Sequence, residues 1–195
     1  MITLIKKILK CLYNIPARIK LKHLGKNSII FWPGEIEKGK YMSIEDNCYI
    51  KSNFWLQAIE LDRTPKFILG SGSYINRFCQ IVITGKVIIG RNVTIADNVY
   101  IADTTHGYKN IDKAVSAHAL EYVGDVEIGD GSWIGRSVSI MGCKIGKGCV
   151  IGAGSFVKKD IPDYCVVVGS PARIVKRYNF DSGQWEKTDK DGNFV

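Results

Sequence analysis

The stretch Ile89-Gly-Arg-Asn-Val-Thr-Ile95-Ala-Asp-Asn-Val-Tyr-Ile101 repeats a branched apolar residue every six positions. The same spacing recurs along most of the chain, and a fixed short period predicts a solenoid of stacked coils. Branched apolar side chains suit short, half-buried strands, so we expect them to point into the column inside the coils. The other rounds of the repeat are led by Ile44, Ile50 and Leu56, by Leu69, Ile75 and Ile81, by Ile128, Ile134 and Ile140, and by Ile145, Ile151 and Val157.

Two further positions of each hexad agree with this interpretation. Four residues after the leading residue comes a smaller side chain that suits a narrow interior, with Phe54 as the bulky exception. These small residues are Cys48, Ser73, Cys79, Val93, Val99, Ser132, Val138, Cys149 and Ser155. Directly after the leading residue, glycine or alanine predicts a sharp corner with unusual dihedral angles, which glycine adopts without a Cβ penalty. These corner residues are Gly70, Gly90, Ala96, Gly129, Gly135, Gly146 and Gly152.

One long interruption breaks the repeat. Between Ile101 and Ile128 about 20 residues leave the pattern, and they begin with Ala102-Asp-Thr-Thr-His106-Gly107. Long excursions from a rigid scaffold are where binding and catalytic groups tend to be carried. The repeat therefore predicts the fold, and its interruption predicts the functional site.

Composition predicts a single cytoplasmic domain. The chain has 195 residues, 46% of them apolar, and no run of about 18 apolar residues that would span a bilayer. The first residues lack a small-residue cleavage site, so no export signal is expected. Six cysteines form no CxxC pair, and three of them occupy the small inward position, which favours buried packing thiols over disulfides or metal ligands.

The net charge of +8 is concentrated near the start of the chain, because residues 1–26 contain seven basic residues and no acidic one. Apolar residues at helical spacing, from Leu4 to Leu12, predict an amphipathic helix that Pro16 ends. Two interpretations stay open for this segment, residues 1–25. The helix either packs on the solenoid or on a neighbouring subunit and caps its open end, or anchors the chain on anionic lipid. Neither interpretation involves nucleic acid.

Two stretches carry a family resemblance. Val126-Glu-Ile-Gly-Asp-Gly-Ser-Trp-Ile-Gly135 follows the His-bearing loop, and Val168-Gly-Ser-Pro-Ala-Arg-Ile174 follows the last coil. With the repeats, they make the chain resemble the hexapeptide-repeat acyltransferases, closest in appearance to acetyltransferases of sugars and polysaccharides. The resemblance implies an all-β fold, a left-handed parallel β-helix over residues 26–173 with an inserted loop at 103–125. It also implies a short N-terminal helix and a C-terminal helix and tail over 174–195.

The resemblance identifies His106 as the catalytic residue. A neutral imidazole within hydrogen-bond reach can take the proton of an acceptor hydroxyl as that hydroxyl attacks an acetyl thioester. Asp103, or instead a backbone carbonyl, would orient the ring, and backbone N–H groups of a coil edge would stabilise the oxyanion. His118 and His23, the other two histidines, are expected to be structural or surface residues.

The resemblance also implies acetyl-CoA as acyl donor and no metal. The phosphates of coenzyme A require a basic groove. The positions around the last coil that match the donor site of the resembled enzymes are basic. Smaller or aromatic residues at other matching positions border the rest of the donor, and Asn76 matches an asparagine that binds the acceptor sugar. The expected donor-site residues are Trp133, Arg136, Ala153, Lys158, Lys159, Arg173 and Lys176.

The resemblance further implies a homotrimer with sites between subunits, acting on a sugar of a surface polysaccharide or its precursor at the inner membrane face. Three alternatives stay open. An N-acetyltransferase of a nucleotide-linked amino sugar would use the same histidine. A zinc carbonic anhydrase of similar fold needs three imidazoles on the metal, and a chain with three histidines in total suits it poorly. A non-catalytic, glycan-binding or scaffold solenoid would have no specific affinity for coenzyme A.

Overall fold

The structure, a computed structural model, describes residues 14–195 and consists mainly of short parallel strands. Strands are numbered in chain order, and three sheets form the faces of the solenoid. Sheet 1 contains β1 (His23–Leu24), β4 (Met42–Ile44), β7 (Lys66–Leu69), β10 (Lys86–Ile89), β15 (Val126–Ile128) and β18 (Lys144–Ile145). Sheet 2 contains β2 (Ile29–Ile30), β5 (Tyr49–Ile50), β8 (Tyr74–Ile75), β11 (Thr94–Ile95), β16 (Trp133–Ile134), β19 (Val150–Ile151), β21 (Cys165–Val168), β22 (Arg173–Asn179) and β23 (Gln184–Lys187). Sheet 3 contains β3 (Gly34–Glu37), β6 (Phe54–Ala58), β9 (Gln80–Ile83), β12 (Tyr100–Ala102), β17 (Ser139–Met141) and β20 (Phe156–Val157).

Among residues 14–195, a helical segment at 14–20, one hairpin and two 3₁₀ turns lie outside these sheets. An antiparallel hairpin pairs β13 (Thr104–His106) with β14 (Leu120–Tyr122). Two single 3₁₀ turns are found at Gly39–Tyr41 and Val115–Ala117. Within the described residues, no helix has the length and apolar character needed to cross a membrane.

The leading residues of the hexads form the core, as the repeat predicts. In sheet 2, Ile75, Ile95, Ile134 and Ile151 lie in register on successive strands, and all four are fully buried. Each coil thus buries its apolar side chains against the coils before and after it. A column of this kind depends on neighbouring repeats for its stability rather than on one compact core.

The small inward residues have a second role beyond fitting a narrow space. Ser73 Oγ donates to the carbonyl oxygen of Gly90 at 2.7 Å and accepts from the N–H of Val93 at 2.9 Å. The Cys48 thiol donates to the carbonyl oxygen of Gly70 at 3.2 Å. Because a buried carbonyl or N–H without a partner costs about 1–3 kcal/mol, serine and cysteine satisfy the backbone at corners where valine would only fill space.

The prediction of packing thiols is confirmed for the five described cysteines, while Cys11 lies outside the described residues. All five are buried and none forms a disulfide. Burial raises the pKa of the Cys79 thiol to about 11 and that of Cys143 to about 12. Thiols with such pKa values remain protonated at neutral pH and are poor nucleophiles.

The explanation expected for the corner glycines is wrong. None of the glycines that directly follow a leading residue has a positive φ. They are glycines because the next coil lies too close. A Cβ on Gly129 would lie 2.4 Å from the backbone nitrogen of Lys147. The left-handed conformation falls two residues later, as at Gly131 with a φ of 70° and Asn92 with a φ of 54°.

The N-terminal prediction is corrected in part. Residues 14–20 are helical, so helical structure runs through Pro16 and does not end there. The buried Asn14 side chain donates to the carbonyl oxygen of Ser28 at 2.7 Å and accepts from the N–H of Ile30 at 3.1 Å. These bonds fasten the helical segment to β2, the edge strand of sheet 2. The amphipathic stretch from Leu4 to Leu12 lies outside the described residues.

The predicted C-terminal helix is wrong. Residues 173–187 instead form an antiparallel hairpin of β22 and β23 that extends sheet 2 beyond β21. A helix at this place would leave the backbone groups on the outer edge of β21 unpaired. Aromatic rings reinforce the hairpin, with Tyr178 packed edge-on against Phe180 and Trp185 at centroid distances of 5.1 and 5.6 Å.

Candidate functional site

The hairpin of β13 and β14 projects from the solenoid where the hexad pattern is interrupted. It follows β12 directly, and its strands pair Thr104 with Tyr122 and His106 with Leu120. The Gly107 N–H donates to the carbonyl oxygen of Ala119 at 3.1 Å, and residues 108–118 form the connecting loop. His106 therefore lies on a paired strand near the root of the excursion and not in its loop.

The Asp103 side chain holds the hairpin to the preceding coil and does not contact the His106 ring. Its carboxylate is fully buried and accepts three hydrogen bonds, from the backbone N–H and the hydroxyl of Thr84 and from the N–H of Gly85. Burial raises the pKa of this carboxyl group, against the opposing effect of those hydrogen bonds. The expected role of Asp103 in orienting the imidazole is therefore wrong, because its acceptor oxygens face the preceding coil.

A second, shorter excursion braces the hairpin, although no sequence pattern marks it as part of the site. Between β6 and β7, residues 59–65 leave the repeat and carry Arg63, whose guanidinium lies 3.8 Å from the centre of the Tyr122 ring. The Tyr122 hydroxyl donates to Asp125, and burial, followed by this carboxylate, raises the pKa of Tyr122 to about 12. Lys86 in turn contacts the Asp125 carboxylate at 3.1 Å.

His106 is exposed, and its ring forms no hydrogen bond or ion pair with any residue among 14–195. Both ring nitrogens are thus free to face a substrate. His118 lies in the connecting loop, where its Nε2 is 3.0 Å from the carbonyl oxygen of Asn110. His23 lies on β1, distant from the hairpin along the solenoid axis. The roles proposed for the three histidines remain predictions that this geometry accommodates.

Asn76 is half-buried at the corner between β8 and β9, where its N–H donates to the carbonyl oxygen of Ile95 at 2.9 Å. Its φ is not positive, and the left-handed residue of this corner is Phe78, with a φ of 60°. Dihedral freedom therefore does not explain an asparagine at this position. Asn76 precedes β9 and His106 follows β12, so the two residues lie beyond opposite ends of neighbouring sheet 3 strands, and a four-residue strand such as β9 is about 13 Å long.

The basic residues expected to bind the donor divide into two groups. Lys158, Lys159 and Arg173 line one cleft of about 230 Å³ at the C-terminal end of the solenoid. Lys176 does not line it, but pairs with Val166 on the outer face of sheet 2. Lys190, which was not among the residues predicted from the sequence, lines the same cleft as the first three residues. No local pattern connects a lysine in the tail to the last coil.

The other expected donor-site residues lie close to one another along the solenoid. Arg136 and Ala153 are exposed at equivalent corners of adjacent coils, where the Gly154 N–H donates to the carbonyl oxygen of Arg136 at 2.9 Å. Trp133 is 49% exposed on the outer face of β16. The register of sheet 2 places it on the same face as Lys176, three strands or about 14 Å away.

Known proteins are similar to this chain in sequence and in fold. The family model for the bacterial transferase hexapeptide (six repeats) matches residues 125–159. The galactoside O-acetyltransferase of Escherichia coli is 34% identical over 149 residues, which cover 75% of this chain and 72% of that protein. WbbJ of Escherichia coli, whose name assigns it to lipopolysaccharide biosynthesis as an O-acetyl transferase, is 37% identical over 120 residues. That match covers 58% of this chain, which spans only 61% of the length of WbbJ.

A solved structure agrees at the level of the fold. The N-acyltransferase AntD from Bacillus cereus, in complex with dTDP and 3-hydroxybutyryl-CoA, superposes with a TM-score of 0.69 at 19% identity. The match covers 86% of this chain and 88% of AntD. The all-β fold is thus a left-handed parallel β-helix, as the resemblance implied. With its repeats, its hairpin and its relatives taken together, the chain belongs to the hexapeptide-repeat acetyltransferases.

Proposed function

We propose that this protein is an acetyl-CoA-dependent O-acetyltransferase that acts on a sugar hydroxyl, with His106 as general base. The observation that carries the proposal is the place of His106. It is the one histidine on the hairpin strand where the repeat is interrupted, and its ring is exposed and unengaged by residues 14–195. The galactoside O-acetyltransferase of Escherichia coli, as a relative, supports a sugar as the acceptor.

The chemistry requires one base and a positioned acceptor. The acceptor oxygen attacks the thioester carbonyl carbon while His106 takes the hydroxyl proton. The new O–C bond forms, the C–S bond breaks, and the proton passes from the imidazolium to the departing thiolate. A positioned general base contributes about 10²- to 10⁴-fold to such a step. No covalent acyl-enzyme is required, which agrees with the protonated, buried state of the described cysteines.

The donor site is proposed at the C-terminal end of the solenoid. Lys158, Lys159 and Arg173 place three positive charges on one cleft, and none of them forms an ion pair with a described residue. Free cations on a concave surface fit the phosphates of coenzyme A. Trp133, Arg136 and Ala153 would border the pantetheine arm, and Lys176 would extend the basic surface. The fold alone is shared with AntD, which binds an acyl-CoA.

The acceptor site is proposed to need more than one subunit. Asn76 precedes β9 and the His106 hairpin follows β12, so the length of a sheet 3 strand, about 13 Å for four residues, lies between them, and one sugar hydroxyl is not expected to contact both within a single chain. A homotrimer in which the His106 hairpin of one subunit faces Asn76 of the next would bring these two residues together.

Co-expression of His106→Ala and Asn76→Ala subunits tests the shared site, because mixed trimers would contain intact sites. Recovery of activity in the mixture supports shared sites, and its absence contradicts them.

The acceptor proposed is a sugar of a surface polysaccharide or of its precursor, in the cytoplasm or at the inner membrane face. The name of WbbJ, a relative over 58% of this chain, supports that substrate class. The seven basic residues within 1–26 would favour an anionic glycan or an anionic lipid surface near it.

The experiment that tests the activity measures thiol release from acetyl-CoA across a panel of acceptor glycans. We expect His106→Ala to lower kcat by about 10²- to 10⁴-fold, because the hydroxyl loses its proton acceptor. His118→Ala, a change of the same type 12 positions along the chain, serves as the matched control and should retain activity. Full turnover in His106→Ala would refute the proposed mechanism. The acetylated product should lose its acetyl group in mild alkali, and a product that resists alkali would indicate N-acetylation instead.

A further inference from the structure

The last residues of the chain form a closed loop. The Asp189 carboxylate accepts from the Asp191 N–H at 2.9 Å, from the Asn193 N–H at 3.0 Å and from the Asn193 side-chain amide at 2.9 Å. Gly192 packs so closely on the buried Ile174 of β22 that a Cβ would lie 2.9 Å from the Ile174 Cδ1. The loop is therefore held in one conformation against the C-terminal hairpin, and Lys190 lies within it.

This loop closes one side of the basic cleft. Lys190 faces a space that Lys158, Lys159 and Arg173 also line, and the one carboxylate among the described residues lining it belongs to Asp191. None of the four cations forms an ion pair with a described residue. Four positive charges around about 230 Å³ repel one another, so the cleft attracts a ligand with several negative charges.

We propose that Lys190, delivered by the loop that Asp189 closes, binds a phosphate of the acyl donor together with Lys158, Lys159 and Arg173. This inference rests on the proposed function, which supplies coenzyme A as the ligand. Its new content is that the C-terminal tail is part of the donor site. The ammonium of Lys190 is a mobile point charge, suited to a phosphate oxygen rather than to the adenine ring or the pantetheine amides.

The first test compares Lys190→Gln with wild type in calorimetric binding of coenzyme A, adenosine 3′,5′-bisphosphate and pantetheine. We expect the variant to bind the two phosphate-bearing ligands about two- to fivefold more weakly, as for a partly exposed charge pair, and pantetheine unchanged. Lys66→Gln removes the same charge from the exposed face of β7, away from the C-terminal end of the solenoid, and should bind all three ligands as wild type does. Equal binding of adenosine 3′,5′-bisphosphate by Lys190→Gln and wild type would overturn the inference, as would an equal loss for pantetheine.

The second test separates position from charge. Asp189→Ala keeps Lys190 and removes a nearby negative charge, so simple electrostatics predicts tighter phosphate binding. The inference predicts weaker binding, because the loop that places Lys190 is opened, and it predicts little further loss in the Lys190→Gln background. Tighter binding by Asp189→Ala contradicts it. If wild type binds no coenzyme A, the proposed function itself fails. If wild type binds it and Lys190→Gln binds it equally well, only the role of Lys190 fails.

Discussion

At the base of the hairpin of β13 and β14, single side chains satisfy backbone groups of the solenoid. The Asp103 carboxylate accepts from two backbone N–H groups of the preceding coil, those of Thr84 and Gly85, that have no strand partner at the end of β9. The sequence left open whether Asp103 or a backbone carbonyl orients the imidazole of His106. The structure shows that the aspartate holds the histidine strand to the solenoid instead, because a buried N–H without an acceptor is costly.

Tyr122, on β14, makes the stability of the hairpin depend on pH. Its phenol has a pKa of about 12 in the folded protein, against about 10 when exposed, so the folded state favours the neutral form. The stabilisation is complete below pH 10 and is lost as the pH rises from about 10 to about 12. We expect the free energy of unfolding to fall more steeply over this range in wild type than in Tyr122→Phe, as measured by urea denaturation.

Tyr122→Phe is a suitable comparison because it keeps the ring beneath Arg63 and removes only the ionisable hydroxyl. Parallel pH profiles for the two proteins between pH 9 and 12 would show that the phenol does not carry this dependence.

At the scale of elements, two excursions from the repeat are coupled. Residues 59–65 carry Arg63, and its guanidinium packs on Tyr122 of β14, directly opposite Thr104 of β13. The sequence shows the longer excursion clearly because it displaces more than three hexads. The shorter one resembles any tolerated corner insertion, and only the folded chain shows that it touches the hairpin.

We predict that Arg63 is a positioning residue for His106. Arg63→Ala removes a cation–π contact of about 0.5–1 kcal/mol and should loosen β14 and its partner strand. We expect kcat to fall about two- to fivefold while KM for acetyl-CoA is unchanged, because the donor cleft lies elsewhere. Hydrogen exchange at the Gly107 and Val123 amides should accelerate in parallel.

Arg91→Ala is the matched control. Arg91 forms an exposed ion pair with Asp130, with an N–O distance of 2.8 Å, and this pair lies away from the hairpin. Arg63→Lys should restore part of the turnover, because it returns a cation to the ring face. Unchanged amide exchange together with unchanged kcat in Arg63→Ala would show that the contact does not position the hairpin.

The C-terminal hairpin shows why one element could not be predicted from its residues. The stretch Arg173–Asn179 has no strict alternation, and its antiparallel pairing with β21 contains a bulge between Val166 and Val167. Its strand structure comes from the open edge of β21, which offers unpaired backbone groups. That edge exists only after the preceding coils have stacked, so local sequence carries little sign of it.

At the scale of the whole molecule, stability is distributed along an axis. Ile95 is stacked between Ile75 and Ile134, whereas Ile30, on the first strand of sheet 2, has Ile50 on one side only. Both Ile95 and Ile30 are fully buried. In a quasi-one-dimensional fold, a defect in the middle affects coils on both sides, and a defect at the end affects the end.

We therefore predict different patterns for two equal truncations. Ile95→Ala should cost about 2–5 kcal/mol in unfolding free energy and lower amide protection on both sides of the central coil. Ile30→Ala should lower protection mainly in the first two coils. Hydrogen exchange read by mass spectrometry distinguishes the two patterns. Uniform loss of protection in both variants would show that the solenoid unfolds as one cooperative unit.

The sequence by itself determined the solenoid, the buried column, the packing role of the described cysteines and the interruption that carries His106. These follow from a six-residue period, which depends only on the size and polarity of neighbouring side chains. The tertiary structure decided the support of Arg63 for the hairpin, the C-terminal strands and the meeting of Lys190 with Lys158 at one cleft. Each of these depends on contacts between residues that are distant in the chain, and such contacts appear only once the coils have stacked.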